Sequence, residues 1–346
     1  MFATRPVVWC LLAALLFGAS TPASKALLDG FGPLTLAGLL YLGAALAVLP
    51  FSLSGGSAVR RRSPHNLGSL IGAVVFGGIV GPALLLYGLR LAPSASVSLW
   101  LNLETGATAV LALWFFQENL EWRDWLANLG VVVAGVVLAA PDGFGLAPAA
   151  LLVAAAAVCW GLDNNWTATI DGFTPEQVTL AKGVVAGTFN LGLGLALGQP
   201  VAGVGLTVLA LLVGGLAYGA SIVLYIRGAQ QLGATRSQML FATAPFLGVA
   251  VAWVALGEPV ALVQVIAMTL LIGSLTILFT GHHEHDHAHD SMVHTHLHCH
   301  DDGHHDHTHP DIDLPPGAWH THEHVHQAIV HVHAHQPDLH HRHTHP

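Results

Sequence analysis

What this sequence has least of is charge. Asp, Glu, Lys and Arg make up 9% of its 346 residues, against roughly 25% in soluble domains. Hydrophobic residues reach 53% and the mean hydropathy is +0.60, more apolar surface than a soluble core can hide. That excludes an ordinary soluble domain and makes the lipid bilayer the first expected partner. Cysteine is nearly absent: Cys10 and Cys159 fall in apolar runs, Cys299 lies near the C-terminus, and three such residues build no disulfide framework. Histidine is missing from the first 281 residues except for His65. There is no P-loop, no Gly-rich nucleotide fingerprint in a suitable context and no nucleophile–base arrangement. An enzyme and ATP-driven transport are both unexpected, and no cofactor is required. With a net charge of −9, no nucleic-acid partner is expected.

The charge that is present divides the chain. Residues 1–281 carry ten Lys/Arg and ten Asp/Glu, whereas residues 282–346 carry Arg342, ten acids and 24 of the 25 histidines. A spanning helix needs about 20 mostly apolar residues. Ten stretches qualify: 7–27, 33–53, 67–89, 94–116, 124–141, 147–168, 177–198, 204–226, 235–256 and 260–280. Short connections with turn chemistry separate them, such as Pro141-Asp142-Gly143 and Gly257-Glu258-Pro259, and Pro93 marks the weakest boundary. With the N-terminus in the cytoplasm, Arg5, Arg60, Arg61, Arg62, Arg123, Arg227 and Arg236 fall inside and only Arg90 outside, as the positive-inside rule favours.

The chain also repeats itself. Phe17-Gly18 recurs as Trp160-Gly161, Asp29-Gly30-Phe31 as Asp171-Gly172-Phe173, and Glu118 as Glu258. The repeat divides the sequence into 1–140, 141–281 and the tail 282–346. Arg5 followed by an apolar run and small residues at Ala19–Ala23 has the look of a signal peptide. Its internal recurrence favours a retained helix instead. Five spans per copy is an odd number, so the second copy enters the membrane inverted, with a solute site expected at the repeat interface near the midplane. The abundant glycines, Gly183 and Gly187 among them, read mainly as close helix packing.

Each copy opens with an aromatic-Gly and small polar residues (Phe17-Gly18-Ala19-Ser20, Trp160-Gly161-Leu162-Asp163), and each reaches a Glu after its fourth helix. With Ala244-Pro245-Phe246 and Leu256-Gly257-Glu258-Pro259, this resembles the EamA family of the drug/metabolite transporter superfamily over about residues 7–280. The first copy departs from the pattern, with Glu104-Thr105 where the second has Ala244-Pro245. The resemblance implies an all-α integral membrane protein: ten transmembrane helices as two inverted five-helix repeats, here followed by a disordered tail. It also implies a carrier for small organic solutes or drugs, often outward; a bacterial inner (plasma) membrane is expected, and the loop arginines with an even number of spans put both termini in the cytoplasm. Substrate and oligomeric state stay open.

Polar residues at depth mark the expected cavity, because a charge in a span is expensive and defaults to function. Asp163, Asn164 and Asn165 interrupt the sixth span, flanked by Trp160 and Trp166; they read as a cavity lining, a proton-coupling site or a polar knot between helices. Glu104 and Asn102 lie in the fourth span, Lys25 in the first and Lys182 in the seventh. Lys25 or Lys182 is the expected ion-pair partner of Glu104, with snorkelling the alternative for both. Glu118 and Glu258 read as architecture at helix junctions.

The tail contains no apolar run long enough for a core and reads as disordered. Its histidines fall in H-x-H series: His283, His285, His287 and His289; His294, His296, His298 and His300; His305, His307 and His309; His320, His322, His324 and His326; His331, His333 and His335; and finally His341, His343 and His345. In an extended chain, residues two apart share a face at about 7 Å. Imidazoles so placed suit transition-metal ions, namely Zn, Ni, Co or Cu, on many exchangeable sites. The leading expectation is therefore a solute carrier with a cytoplasmic metal-binding tail. A divalent-metal transporter fed or sensed by the tail and a membrane-anchored metal reservoir are the alternatives.

Overall fold

The computed structural model describes residues 4–54, 64–92, 97, 100–116, 120, 122–139, 148–170, 172–247 and 262–280, together with four backbone segments of the tail. Long apolar sequence becomes helix in the described segments between residues 4 and 280, because in lipid only a helix or a closed barrel satisfies every backbone N–H and C=O. The first half contains α1 (Thr4–Gly18), α2 (Ser20–Leu27), α3 (Pro33–Ser54), α4 (Pro64–Gly72), a π-helical stretch (Ala73–Val80), α5 (Gly81–Leu91), α6 (Leu103–Trp114) and α7 (Trp122–Ala139). The second contains α8 (Pro148–Thr169), α9 (Pro175–Ala196), α10 (Val204–Val213), a second π-helical stretch (Gly214–Ala220), α11 (Ser221–Leu232), α12 (Ala234–Phe241) and α13 (Leu262–Thr280).

Five of these helical segments are long and apolar enough to cross a membrane: Arg5–Leu27, Pro33–Leu53, Asn66–Leu91, Pro175–Ala196 and Val204–Leu232. Each covers most of one of the ten stretches read from the sequence. Each half carries one π-helical stretch between two α-helices, whereas the break between α1 and α2 has no counterpart in the continuous α8. Packing is reciprocal. Helix α1 lies on α11 while α5 lies on α8, α3 runs along α9, and α7 along α13. Gly183 and Gly187 allow the α3–α9 contact, since a Cβ there would come within 2.8 Å of the Tyr41 carbonyl oxygen and 3.1 Å of the Gly38 carbonyl oxygen. Outside this seam the helices present apolar side chains, such as Leu206, Leu212, Leu262 and Ile272, on a surface suited to lipid.

Two expectations change here. Arg236 is not a loop residue reporting topology. It is buried in the first turn of α12 and pairs with Asp124 of α7 at 2.9 Å. The tail, read as disordered, instead forms strands over its four described segments: β1 (Asp286–His289), β2 (Met292–His298), β3 (His320–His326) and β4 (Ile329–Val332). Strands β1 and β4 pair antiparallel, as do β2 and β3. An H-x-H series with Val, Leu and Thr between the histidines has the period-2 pattern of a strand, and that local preference replaces the missing core.

Candidate functional site

Helix interruptions converge on one place. The first helix breaks at Ala19, between α1 and α2, where Pro22 has no N–H to offer the Gly18 carbonyl, and Gly18 packs there against the backbone of Ala244, where a Cβ would stand 2.7 Å from the carbonyl oxygen. Residues Leu101-Asn102 form a turn just before α6, and Ala242-Thr243 form a turn after α12, at matching places in the two halves. Phe17, Gly18, Asn102, Glu104, Ala242 and Ala244 all line a cavity of about 420 Å³, its open mouth included. A second cavity of about 520 Å³, measured the same way, adjoins it and shares Phe17, Glu104, Gln238 and Phe241. Irregular backbone at membrane depth is tolerated where it lines such a space.

On the floor of the second cavity, Lys182 Nζ lies 2.5 Å from Asp163 Oδ1 and donates a hydrogen bond to Oδ2 at 2.6 Å. Lys182 is 2% exposed and Asp163 7%. Asp163 reaches this position only because residue 77 is glycine: a Cβ there would sit 2.1 Å from Asp163 Oδ2. Gly77 belongs to the first π-helical stretch, whose wide turns release carbonyls for side chains. The Gly77 carbonyl accepts from the Tyr41 hydroxyl at 2.6 Å and from Trp160 Nε1 at 3.1 Å, and Asn190 Nδ2 donates to the Gly78 and Ile79 carbonyls at 3.3 Å each. In the second half, Ser221 at the end of the matching π-helical stretch donates to the Ala13 carbonyl at 2.9 Å.

Asn164 joins the two sides. Its Nδ2 lies 2.9 Å from Glu104 Oε1, 3.2 Å from Thr108 Oγ1 and 3.2 Å from Gln238 Oε1. An amide has two hydrogens, so two of these three acceptors are served at a time. Five rings then follow one another along the cavity wall, with centroids 5.5 Å apart for Tyr41–Tyr218, 5.6 Å for Tyr218–Phe17, 5.1 Å for Phe17–Phe241 and 5.2 Å for Phe241–Tyr225.

The structure sorts the sequence candidates. Asp163, Asn164, Glu104, Lys182 and Trp160 meet at the second cavity, and Asn102 lies on the first. Lys25 does not belong to either and does not pair with Glu104. Its Nζ donates to the Leu89 carbonyl at 2.7 Å and the Ala92 carbonyl at 3.0 Å, which caps the end of α5. Lys182 neither snorkels nor pairs with Glu104, because Asp163 of the preceding helix α8 takes it. Asn165 faces away from the cavity: its Nδ2 donates to the Gly161 carbonyl at 2.8 Å and to the Thr108 carbonyl at 3.1 Å, tying α8 to α6. Trp166 packs against Phe76 and Phe116, with centroids at 5.7 and 6.1 Å. Neighbours in sequence on a helix point about 100° apart, so a polar triplet cannot all enter one cavity.

Missed from the sequence were Gln238, Thr108, Gly77 and the aromatic row. Ordinary apolar spacing hides Phe17, Tyr41, Tyr218, Tyr225 and Phe241. Glu118, Glu258, Arg60, Arg61 and Arg62 lie outside the described residues, as do His283, His285, His300, His305, His307, His309, His333 and His335. The EamA-like transporter family matches this chain twice, over residues 4–140 and 147–280. An uncharacterized transporter of Methanothermobacter thermautotrophicus is 24% identical over 291 residues, covering 77% of this chain and 84% of that protein. A protein of known crystal structure superposes with a TM-score of 0.66 and 22% identity over 80% of this chain and 99% of its own, a likeness of fold alone.

Proposed function

This chain belongs to the EamA-like transporter family, and we propose that it is a secondary carrier that moves a small organic solute outward across a bacterial inner membrane. Transport proceeds by alternating access between two inverted five-helix halves, with both termini in the cytoplasm. One observation carries the reading: three helix interruptions and the polar set Glu104, Asn164, Asp163 and Lys182 line two adjoining cavities that share Glu104 and are walled by rings from both halves. A secondary transporter keeps its site where its repeats meet and its helices break. The test uses purified full-length protein in liposomes loaded with a total small-metabolite extract. The expected result is a solute released by the wild type and retained by Ile222→Trp, which fills the cavity. Release profiles identical to those of protein-free liposomes would sink the proposal.

The tail, in this reading, binds divalent transition metals (Zn, Ni, Co or Cu) beside the carrier. Backbone register supports it: His294 stands opposite His324, His296 opposite His322, His298 opposite His320, and His287 opposite His331. Directly opposed residues in an antiparallel pair have Cα atoms about 4.5–5.5 Å apart, within reach of a shared ion. Metal as the cargo is less favoured. Among the described residues no group of three His, Cys, Asp or Glu side chains is placed to hold an ion.

A further inference from the structure

We infer that the cavity selects organic cations, an ammonium or quaternary ammonium group carried on a flat or aromatic body. The inference rests on the cavity being the solute site proposed above. Its basis is a charge imbalance. The cavity holds two carboxylates and one cation, and the cation is committed: Lys182 contacts both oxygens of Asp163. Glu104 is 8% exposed and receives a neutral amide from Asn164. Among the described residues no Lys, Arg or His approaches it within 4.0 Å. A buried carboxylate without a counter-charge is costly unless it takes up a proton or a ligand supplies that charge, and here Glu104 lines both cavities, where a cationic ligand can reach it.

The walls match the same ligand. Tyr41, Tyr218, Phe17, Phe241 and Tyr225 form a connected row, and Trp160 completes the lining. Ring faces are negative, so a cation is attracted to them once it is desolvated, and an anion is not. Recognition of quaternary ammonium by aromatic walls needs no strong hydrogen-bond donor from the protein. Around Glu104 the nearby donor, Asn164, is already shared among three acceptors. An anionic solute would instead require a free cation in the cavity, and Lys182 is not free.

The test is titration calorimetry on the purified full-length protein in nanodiscs. Three probes share one ring and differ in charge: benzyltrimethylammonium, benzyl alcohol and phenylacetate. The wild type is expected to bind the cation in preference to the other two. Glu104→Gln, which keeps the acceptor for Asn164, is expected to weaken the cation by about 30-fold or more. Glu104→Asp is expected to retain binding, and Glu176→Gln, on the distant ion pair with Arg227, to change nothing. No cation binding by the wild type, or equal affinity for benzyl alcohol, overturns the inference, the latter because Glu104 then stands as a neutral acid. If phenylacetate or benzyl alcohol binds and Ile222→Trp abolishes it, the cavity remains the solute site and only its cation preference falls. Cation binding that survives both Glu104→Gln and Ile222→Trp overturns the cavity assignment itself.

Discussion

Removing Lys182 while keeping Asp163 probes the site most directly. Lys182→Met preserves most of the stem's volume and deletes the ammonium that stands 2.5–2.6 Å from both carboxylate oxygens. Asp163 is then left 7% exposed with no cation. Breaking a buried pair by removing one partner costs about 3–5 kcal/mol, whereas removing both charges is often near neutral. Lys182→Met should therefore be strongly destabilised, and the double variant Asp163→Asn/Lys182→Met should recover most of that loss. The coupling energy from the full cycle should exceed the roughly 0.6 kcal/mol average of hydrogen bonds between transmembrane helices. Reversible unfolding in mixed micelles, followed by Trp fluorescence, measures all four corners. If the single and double variants unfold together, with coupling below about 0.5 kcal/mol, Asp163 is not held by Lys182 and the charge argument at the cavity fails with it.

Gly77→Ala places a Cβ 2.1 Å from Asp163 Oδ2, so it should cost about 1–3 kcal/mol and displace the carboxylate, read as a loss of stability and of solute release. Lys25→Met deletes the bonds to the Leu89 and Ala92 carbonyls; it should lower stability by about 1–3 kcal/mol and leave solute binding unchanged, which separates a capping lysine from a cavity one. Thr174→Ala removes the side-chain acceptor that caps α9 through the Gln177 backbone N–H, for about 1 kcal/mol in the same unfolding assay. Deleting residues 282–346 should abolish Zn and Ni binding by the purified protein and leave solute release intact; metal binding that persists refutes the tail assignment.

Much of the fold is legible in the sequence because lipid leaves the chain few options. Runs of about 20 apolar residues must be helices in lipid, and five of the stretches so read are long apolar helices here. The site is less legible. Asp163 and Glu104 stand out by charge alone, since a lone acid in an apolar run demands a reason. Their partners do not. Choosing Asp163 for Lys182, Asn164 for Glu104 and two backbone carbonyls for Lys25 depends on the α8–α9, α6–α8 and α2–α5 contacts, which no local pattern encodes. The rings of Phe17, Tyr41, Tyr218, Tyr225 and Phe241 look like ordinary packing until packing brings them into one row.

The sequence by itself pointed to the solvent, the helices, a duplication and a His-rich tail. All four follow from composition and period, which are properties of single segments. Only the tertiary structure decided which charge is spent inside the protein and which is left for a ligand. Groups on different helices, 19 residues apart for Lys182 and Asp163 and 60 or more for the others, settle that question by distance. Lys182 satisfies Asp163, Lys25 is held by the backbone, and Glu104 is left facing the cavity with an amide for company.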